Sequence, residues 1–349
     1  MKNSKINKKR VLVYLVIFII VIASKIILPN ILPSKYYSDS ATLLKIMRGD
    51  ITADKSYSIA ASFFNMINVL NLKTLLGWSV VLGIVMIPIL LYLANKIIKI
   101  EFKQVTFLAA SIFLLGLYVL TISKDFLHII VIIAIFGVLI GKVKEKNKLF
   151  ITAAILITEG LLFRRYYIIV AFLVFIFYSQ TSKKKIKKMP ILTCILIFMV
   201  SMALLQSISP QSYDSIVGAR DSVNINRSEI DTSSLINNLL PNNNIIFYFL
   251  NFIINFVRLA LPLELIFKGP IYIIYVVYQL FITYILFQNS KKVSSANRLP
   301  LSLMLAYFTT SVLFEPDFGS FLRHESVYFL IVLLLINSIR RSENVEICG

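Results

Sequence analysis

Cysteine is almost absent. Cys194, inside an apolar run, and Cys348, at the C-terminal end, are the only two, and neither falls in a segment read below as external, so no disulfide framework is indicated. Charge is also scarce, at 15 % of the residues, and acids are the rarer sign, 17 against 36 Lys and Arg. Gly-rich phosphate loops and His-Glu-x-x-His or Cys-x-x-Cys patterns are missing, so nucleotide cradles and dedicated metal cages are not expected, and no cofactor is assigned. Heptad arrays, low-complexity tracts, internal repeats and a soluble domain are missing too. The chain opens on a basic leader and an apolar run with no small-x-small cleavage site after it, which reads as an uncleaved first span.

What is present is apolar. Hydrophobic residues make up 58 % of the chain, and runs of helix-spanning length recur from end to end. Lipid offers no partner for backbone N–H and C=O groups, and strand-type alternation is not seen, so the expected fold is all-α. The expected architecture is a polytopic integral membrane protein, 1–349 as a single membrane domain, with about ten transmembrane helices. They are read at 11–32, 75–95, 104–123, 126–141, 149–163, 166–180, 189–207, 271–287, 300–313 and 326–338. Residues 245–267 are read as a re-entrant or interfacial element with Arg258, Pro262 and Glu264 at its break, because proline removes a donor and disfavours the helical region for Leu261.

A net charge of +19 in a soluble protein would suggest nucleic acid. Here the charge is topological. Six basic clusters, at 2–10, 96–103, 142–148, 183–188, 291–298 and 340–341, hold 22 of the 36 Lys and Arg. The positive-inside rule puts them in the cytoplasm together with the N-terminus, leaving an electrically balanced outer surface plus Lys25 within the first span. The Ile, Lys and Asn richness resembles that of an AT-rich bacterial genome, so the expected location is a bacterial cytoplasmic membrane, with no nucleic-acid partner.

Three outer segments follow from this topology: 33–74, a large loop at 208–244 carrying Asp214, Arg220, Asp221, Arg227, Glu229 and Asp231, and a site loop at 314–325. In the first, Asp39 within Tyr-Tyr-Ser-Asp-Ser is the acid of interest. Asp125 and His128 are three residues apart and share a helix face. Glu159 lies about a turn below Arg164 and Arg165; a charged group costs roughly 2.5 to 3.5 kcal/mol at the centre of a span, so a partner or polar cavity is expected. Two adjacent guanidiniums on the outer side suggest a polyanion. In Phe-Glu-Pro-Asp-Phe-Gly-Ser-Phe-Leu-Arg-His-Glu, Pro316, Asp317 and Gly319 are turn formers, and Arg323 and His324 are expected to open the next helix, where a cation opposes the helix dipole and invites an anion.

Four stretches carry a resemblance: Pro-Ser-Lys-Tyr-Tyr-Ser-Asp-Ser at 33–40, Asp-Lys-Ser-Tyr at 54–57, Arg-Leu-Ala-Leu-Pro-Leu-Glu-Leu at 258–265 and Glu-Pro-Asp-Phe-Gly-Ser-Phe-Leu-Arg-His at 315–324. With the spans around them, the chain resembles the bacterial Wzy-type polysaccharide polymerases of capsule and O-antigen assembly. The resemblance implies a metal-independent membrane glycosyltransferase that joins lipid-linked oligosaccharide repeat units at the outer face of the cytoplasmic membrane. Its donor would be a polyprenyl-pyrophosphate-linked oligosaccharide, and its partners membrane lipids, a chain-length regulator and a flippase. His324, Asp317 and Glu315 are the catalytic candidates; Arg164, Arg165, Arg258, Arg323, Asp125 and Asp39 are the substrate-binding ones. Arginine forks suit a lipid pyrophosphate leaving group, and an acceptor hydroxyl needs a base. Two other classes stay open: a polyprenyl-phosphate-sugar-dependent glycosyltransferase, with an acid such as Asp39 as base, and a flippase or transporter of lipid-linked oligosaccharides.

Overall fold

The computed structural model describes residues 8–32, 37–52, 54–98, 101–181, 207–208, 211, 218, 234–241 and 244–347, with the side chains of 271 and 340–347 left aside. The expected span at 189–207 except its last residue, the basic loop at 183–188, most of the expected outer loop at 208–244 with its charged residues, residues 33–36 and both cysteines lie outside the described residues.

Among the described residues the regular structure is helical: α1 (Lys8–Ile27), α2 (Ser38–Arg48), α3 (Lys55–Ile67), α4 (Leu75–Asn95), α5 (Phe102–Tyr118), α6 (Lys124–Ile140), α7 (Glu145–Leu162), α8 (Tyr166–Gln180), α9 (Ile245–Ala260), α10 (Pro270–Lys291), α11 (Ser295–Phe314), α12 (Phe318–Val327) and α13 (Phe329–Ile347). One isolated β-bridge joins Leu235 to Asp317. Among the described residues three helices, Lys8–Asn30, Leu75–Asn95 and Tyr272–Lys291, are long and apolar enough to cross a membrane; there are four if the helices on either side of Tyr328 count as one broken span. That is fewer than the ten crossings expected from the apolar runs, because several runs form helices of only 15 to 17 residues.

The chain divides into two compact units. The first comprises Met1–Gly141, Ile155–Arg165 and Glu325–Asn337. Here α1 packs along α4 and α5. Small residues permit the approach: a Cβ on Gly116 would collide with Val21, and one on Gly83 would lie 2.8 Å from the Lys25 stem. Lys25 is buried, and its ammonium donates to Ser79 Oγ at 3.1 Å and to the Leu120 carbonyl just beyond α5, where carbonyls lack helical partners. The segment 33–74, expected to be the first outer one, forms α2 and α3. Gly49, at φ 82°, ends α2, and Asp54 opens α3 by accepting from Tyr57 N–H. Phe64 of α3 then seats against Trp78 and Phe126, with ring centroids at 5.3 and 5.6 Å.

The second unit comprises Lys142–Ala154, Tyr166–His324 and Ser338–Gly349. Its central pair is α8 and α11. Arg298, in the first turn of α11, donates through Nε and Nη2 to the Tyr178 carbonyl at 3.0 and 2.6 Å and lies 4.0 Å over that tyrosine's ring, so a cation meets the negative end of α8. Helix α9 is amphipathic the wrong way round for a helix packed in water: Tyr248, Asn251, Asn255 and Leu259 are buried while Ile246, Leu250, Ile253, Phe256 and Val257 are exposed. It ends at the Leu261–Pro262 break, after which a 3-10 turn, Leu263–Lys268, leads into α10.

Candidate functional site

In the second unit, the loop between α11 and α12 gathers the three catalytic candidates. Glu315 follows the end of α11, and its Oε1 lies 2.6 Å from His324 Nδ1. Ser320 donates to Glu315 Oε2 at 2.8 Å, so both carboxylate oxygens are held. Asp317 Oδ1 accepts from Ser320 N–H at 2.7 Å, which starts α12 at Phe318. Glu315, Asp317, Ser320 and His324 are all buried. One turn before His324, Phe321 is clamped by Phe308 and Tyr307 of α11, with centroids at 5.6 and 6.4 Å, which fixes the helix that carries the imidazole.

This geometry corrects one expectation. Arg323 and His324 do not open a helix; they are the sixth and seventh residues of ten, with His324 in the last turn. Asp317 acts as the N-terminal cap five residues earlier than the apolar pattern suggests, so the dipole argument for an anion at Arg323 does not apply. A carboxylate at Nδ1 instead holds the ring proton there and makes Nε2 the basic nitrogen, an arrangement that serves a general base.

Arg258 of α9 is in the same unit, but its fork is engaged. Nε and Nη2 reach the two Glu264 oxygens at 2.8 and 2.7 Å, and Nη1 reaches Asn237 O at 2.7 Å and Asn255 Oδ1 at 3.1 Å. Four of the five N–H donors of a guanidinium are thereby in use. The group lies 5.9 Å from the Phe318 ring centroid.

The remaining candidates belong to the first unit. Asp125 is fully buried and pairs with Arg164. One turn along α6, His128 Nδ1 lies 2.6 Å from Glu159 Oε1, and the Tyr328 ring stands 5.3 Å from the imidazole. Both partners, Arg164 and Glu159, come from the end of α7 and the turn after it, so two antiparallel helices are joined by two acid–base pairs. The partner expected for Glu159 is thus His128, which sequence reasoning did not place in the site; the pairing of 125 and 128 with 164 and 159 was a readable signal. Arg165 is exposed. Asp39 accepts from Tyr57 Oη at 2.6 Å, and Lys124 lies 3.5 Å over the Tyr57 ring. Burial pushes the Lys124 ammonium below its usual range despite Asp39, Asp54 and Asp125, with Arg164 adding to the fall. The Asp54 carboxyl is held below its usual range by Ser56, by Tyr57 N–H and by Lys124.

The nine candidates therefore fall into two groups, one in each unit: Glu315, Asp317, Arg323, His324 and Arg258 in one, Asp39, Asp125, Arg164 and Arg165 in the other. No cluster of three or more His, Cys, Asp or Glu able to hold a metal occurs among the described residues. Each unit also holds a histidine buried against a glutamate, His324 with Glu315 in one and His128 with Glu159 in the other. Comparison with models of known families, with characterised proteins and with solved structures found no match.

Proposed function

We propose that the chain is a polysaccharide polymerase of the Wzy type, spanning a bacterial cytoplasmic membrane and joining lipid-linked oligosaccharide repeat units at its outer face. The observation that carries this reading is the buried Glu315–His324 pair. In the reaction His324 Nε2 takes the proton of the acceptor sugar hydroxyl, the hydroxyl oxygen bonds to the anomeric carbon of the donor glycan, and the polyprenyl pyrophosphate leaves with the bonding electrons. Glu315 holds the ring and stabilises the imidazolium that forms. The activated donor supplies the driving force, so no nucleotide is needed. Arg323 precedes the base in the sequence and is the first candidate for the leaving charge.

The membrane reading rests on exposure as well as length. Apolar side chains stand outward along α1 (Val11, Leu12, Leu15, Val16, Ile19, Ile20) and on α9, a distribution unlike that of a protein surrounded by water. Helices of 17 residues such as α5 and α6 reach roughly 26 Å at about 1.5 Å per residue, close to the ~30 Å hydrocarbon layer, so the ten-span count extends to them.

A second reading has one observation in its favour. Asp39 lies in the field of Lys124 together with Asp54, Asp125 and Arg164, where a monomer transferase using polyprenyl-phosphate sugar would keep its base. Replacing His324 by alanine separates the readings. A polymerase so impaired leaves complete, unpolymerised lipid-linked units on the outer leaflet, open to an external glycosidase. Units lacking one sugar would favour the monomer transferase, and complete units shielded inside would favour a flippase.

A further inference from the structure

The end of the large outer loop, residues 234–241, is tied down on two sides. Toward the site, Ile236 N–H donates to Pro316 O at 2.9 Å, Phe318 N–H donates to Ser234 O at 3.0 Å, and Leu235 bridges Asp317. Toward α9, three polar side chains at i, i+4 and i+7 hold successive points of the same strap. Asn251 Nδ2 donates to Leu240 O at 2.7 Å while its Oδ1 accepts from Leu240 N–H at 3.0 Å, reproducing the bond pair that a neighbouring strand would give. Asn255 Nδ2 donates to Asn238 Oδ1 at 2.8 Å, and Arg258 Nη1 donates to Asn237 O. Ile236 is fully buried.

These amides are not lining a ligand pocket. The space between Asn238, Tyr248, Asn251, Phe252, Asn255, Val312 and Leu313 is about 20 Å³, room for about one water and not for a sugar. Nor are they incidental, since a buried amide costs stability unless its bonds are made, and here Asn251 bonds the strap's backbone and Asn255 its Asn238 side chain, on a strap that is itself hydrogen-bonded to the site loop. The strap holds residues 316–318, which join Glu315 to the start of α12, the helix that carries His324.

We propose that Asn251, Asn255 and Arg258 form a clamp on α9 that fixes the 234–241 strap and, through it, sets Glu315 against His324. They are positioning residues for the reaction, and Arg258 serves here rather than as a leaving-group ligand. The proposal rests on the reading of His324 as the base only in its second test.

The first test needs no activity. Full-length protein in detergent, with Cys194→Ser and Cys348→Ser, carries a single cysteine at Ile236→Cys, and its rate of modification by N-ethylmaleimide is measured. Asn251→Ala removes two hydrogen bonds, so opening of the strap and the labelling rate should rise about thirtyfold. Asn251→Gln, which keeps both groups, should restore most of the protection. A second background with Leu43→Cys, fully buried in the other unit, should stay protected, separating local release from unfolding. An unchanged rate at position 236 overturns the clamp, and so does equal deprotection at position 43. In the second test, polymer formation from lipid-linked units should lose turnover in Asn251→Ala with the apparent KM held, and Asn251→Gln should recover it. Labelling that rises with turnover unchanged overturns the positioning role. If wild-type membranes make no polymer, the functional reading fails and the labelling alone decides the clamp.

Discussion

The Glu315 carboxylate has one oxygen on His324 and the other on Ser320, so it is oriented from both sides. Charge and orientation can be separated by substitution. Glu315→Gln keeps the shape but loses the charge and the preference for a proton on Nδ1, and polymer formation should fall by about 10² to 10⁴. Ser320→Ala removes one neutral hydrogen bond and should cost less than about tenfold. Initial rates with lipid-linked units measure both, and a Glu315→Gln rate within about twofold of wild type would remove Glu315 from the mechanism. Residue chemistry marked these positions from the sequence, where Glu315, Asp317 and His324 stand within ten residues of one another. The direction of the helix that carries them was not legible. Whether Asp317 caps a helix or sits in a longer turn depends on a single side-chain bond to Ser320 N–H, and the apolar pattern favoured a later start.

At the scale of elements, α9 is the most informative helix. Its buried stripe is Tyr248, Asn251, Asn255 and Leu259, and its outward stripe is Ile246, Leu250, Ile253, Phe256 and Val257. In water, substitutions at exposed positions usually change stability by under about 0.5 kcal/mol. Against lipid, a charge costs up to roughly 2.5 to 3.5 kcal/mol near mid-depth. Leu250→Asp and Ile253→Asp should therefore lower membrane yield and melting temperature of the purified protein far more than Leu250→Ala. Equal behaviour of the aspartate and alanine variants would show that this face meets water. The break at Leu261–Pro262 was readable from proline chemistry, and the structure has it there. The polar stripe does not stand out in the sequence because α9 is rich in apolar residues, and what two asparagines four apart do is set by the strap they hold.

For the whole molecule, topology is the testable property. On the proposed topology the positive-inside rule assigns 291–298 to the cytoplasm and the site loop with its strap to the outer side. In intact cells, an impermeant thiol reagent should modify Leu239→Cys, which is exposed, and spare Lys292→Cys until the membrane is opened. The reverse pattern would put the Glu315–His324 pair on the cytoplasmic side and end the reading of an outer polymerase. By itself the sequence determined that this chain is helical and apolar, because composition and the length of apolar runs are properties of each segment alone. It also marked the charged residues that stand out against that background. Only the tertiary structure decided which of them meet: that Glu159 takes His128, that Arg258 is committed to Glu264 and the strap, and that the candidates divide between two units. Pairing depends on which helices become neighbours and in what register, and that is set by side-chain packing across the chain, such as Gly83 and Gly116 admitting α1, which no single segment encodes.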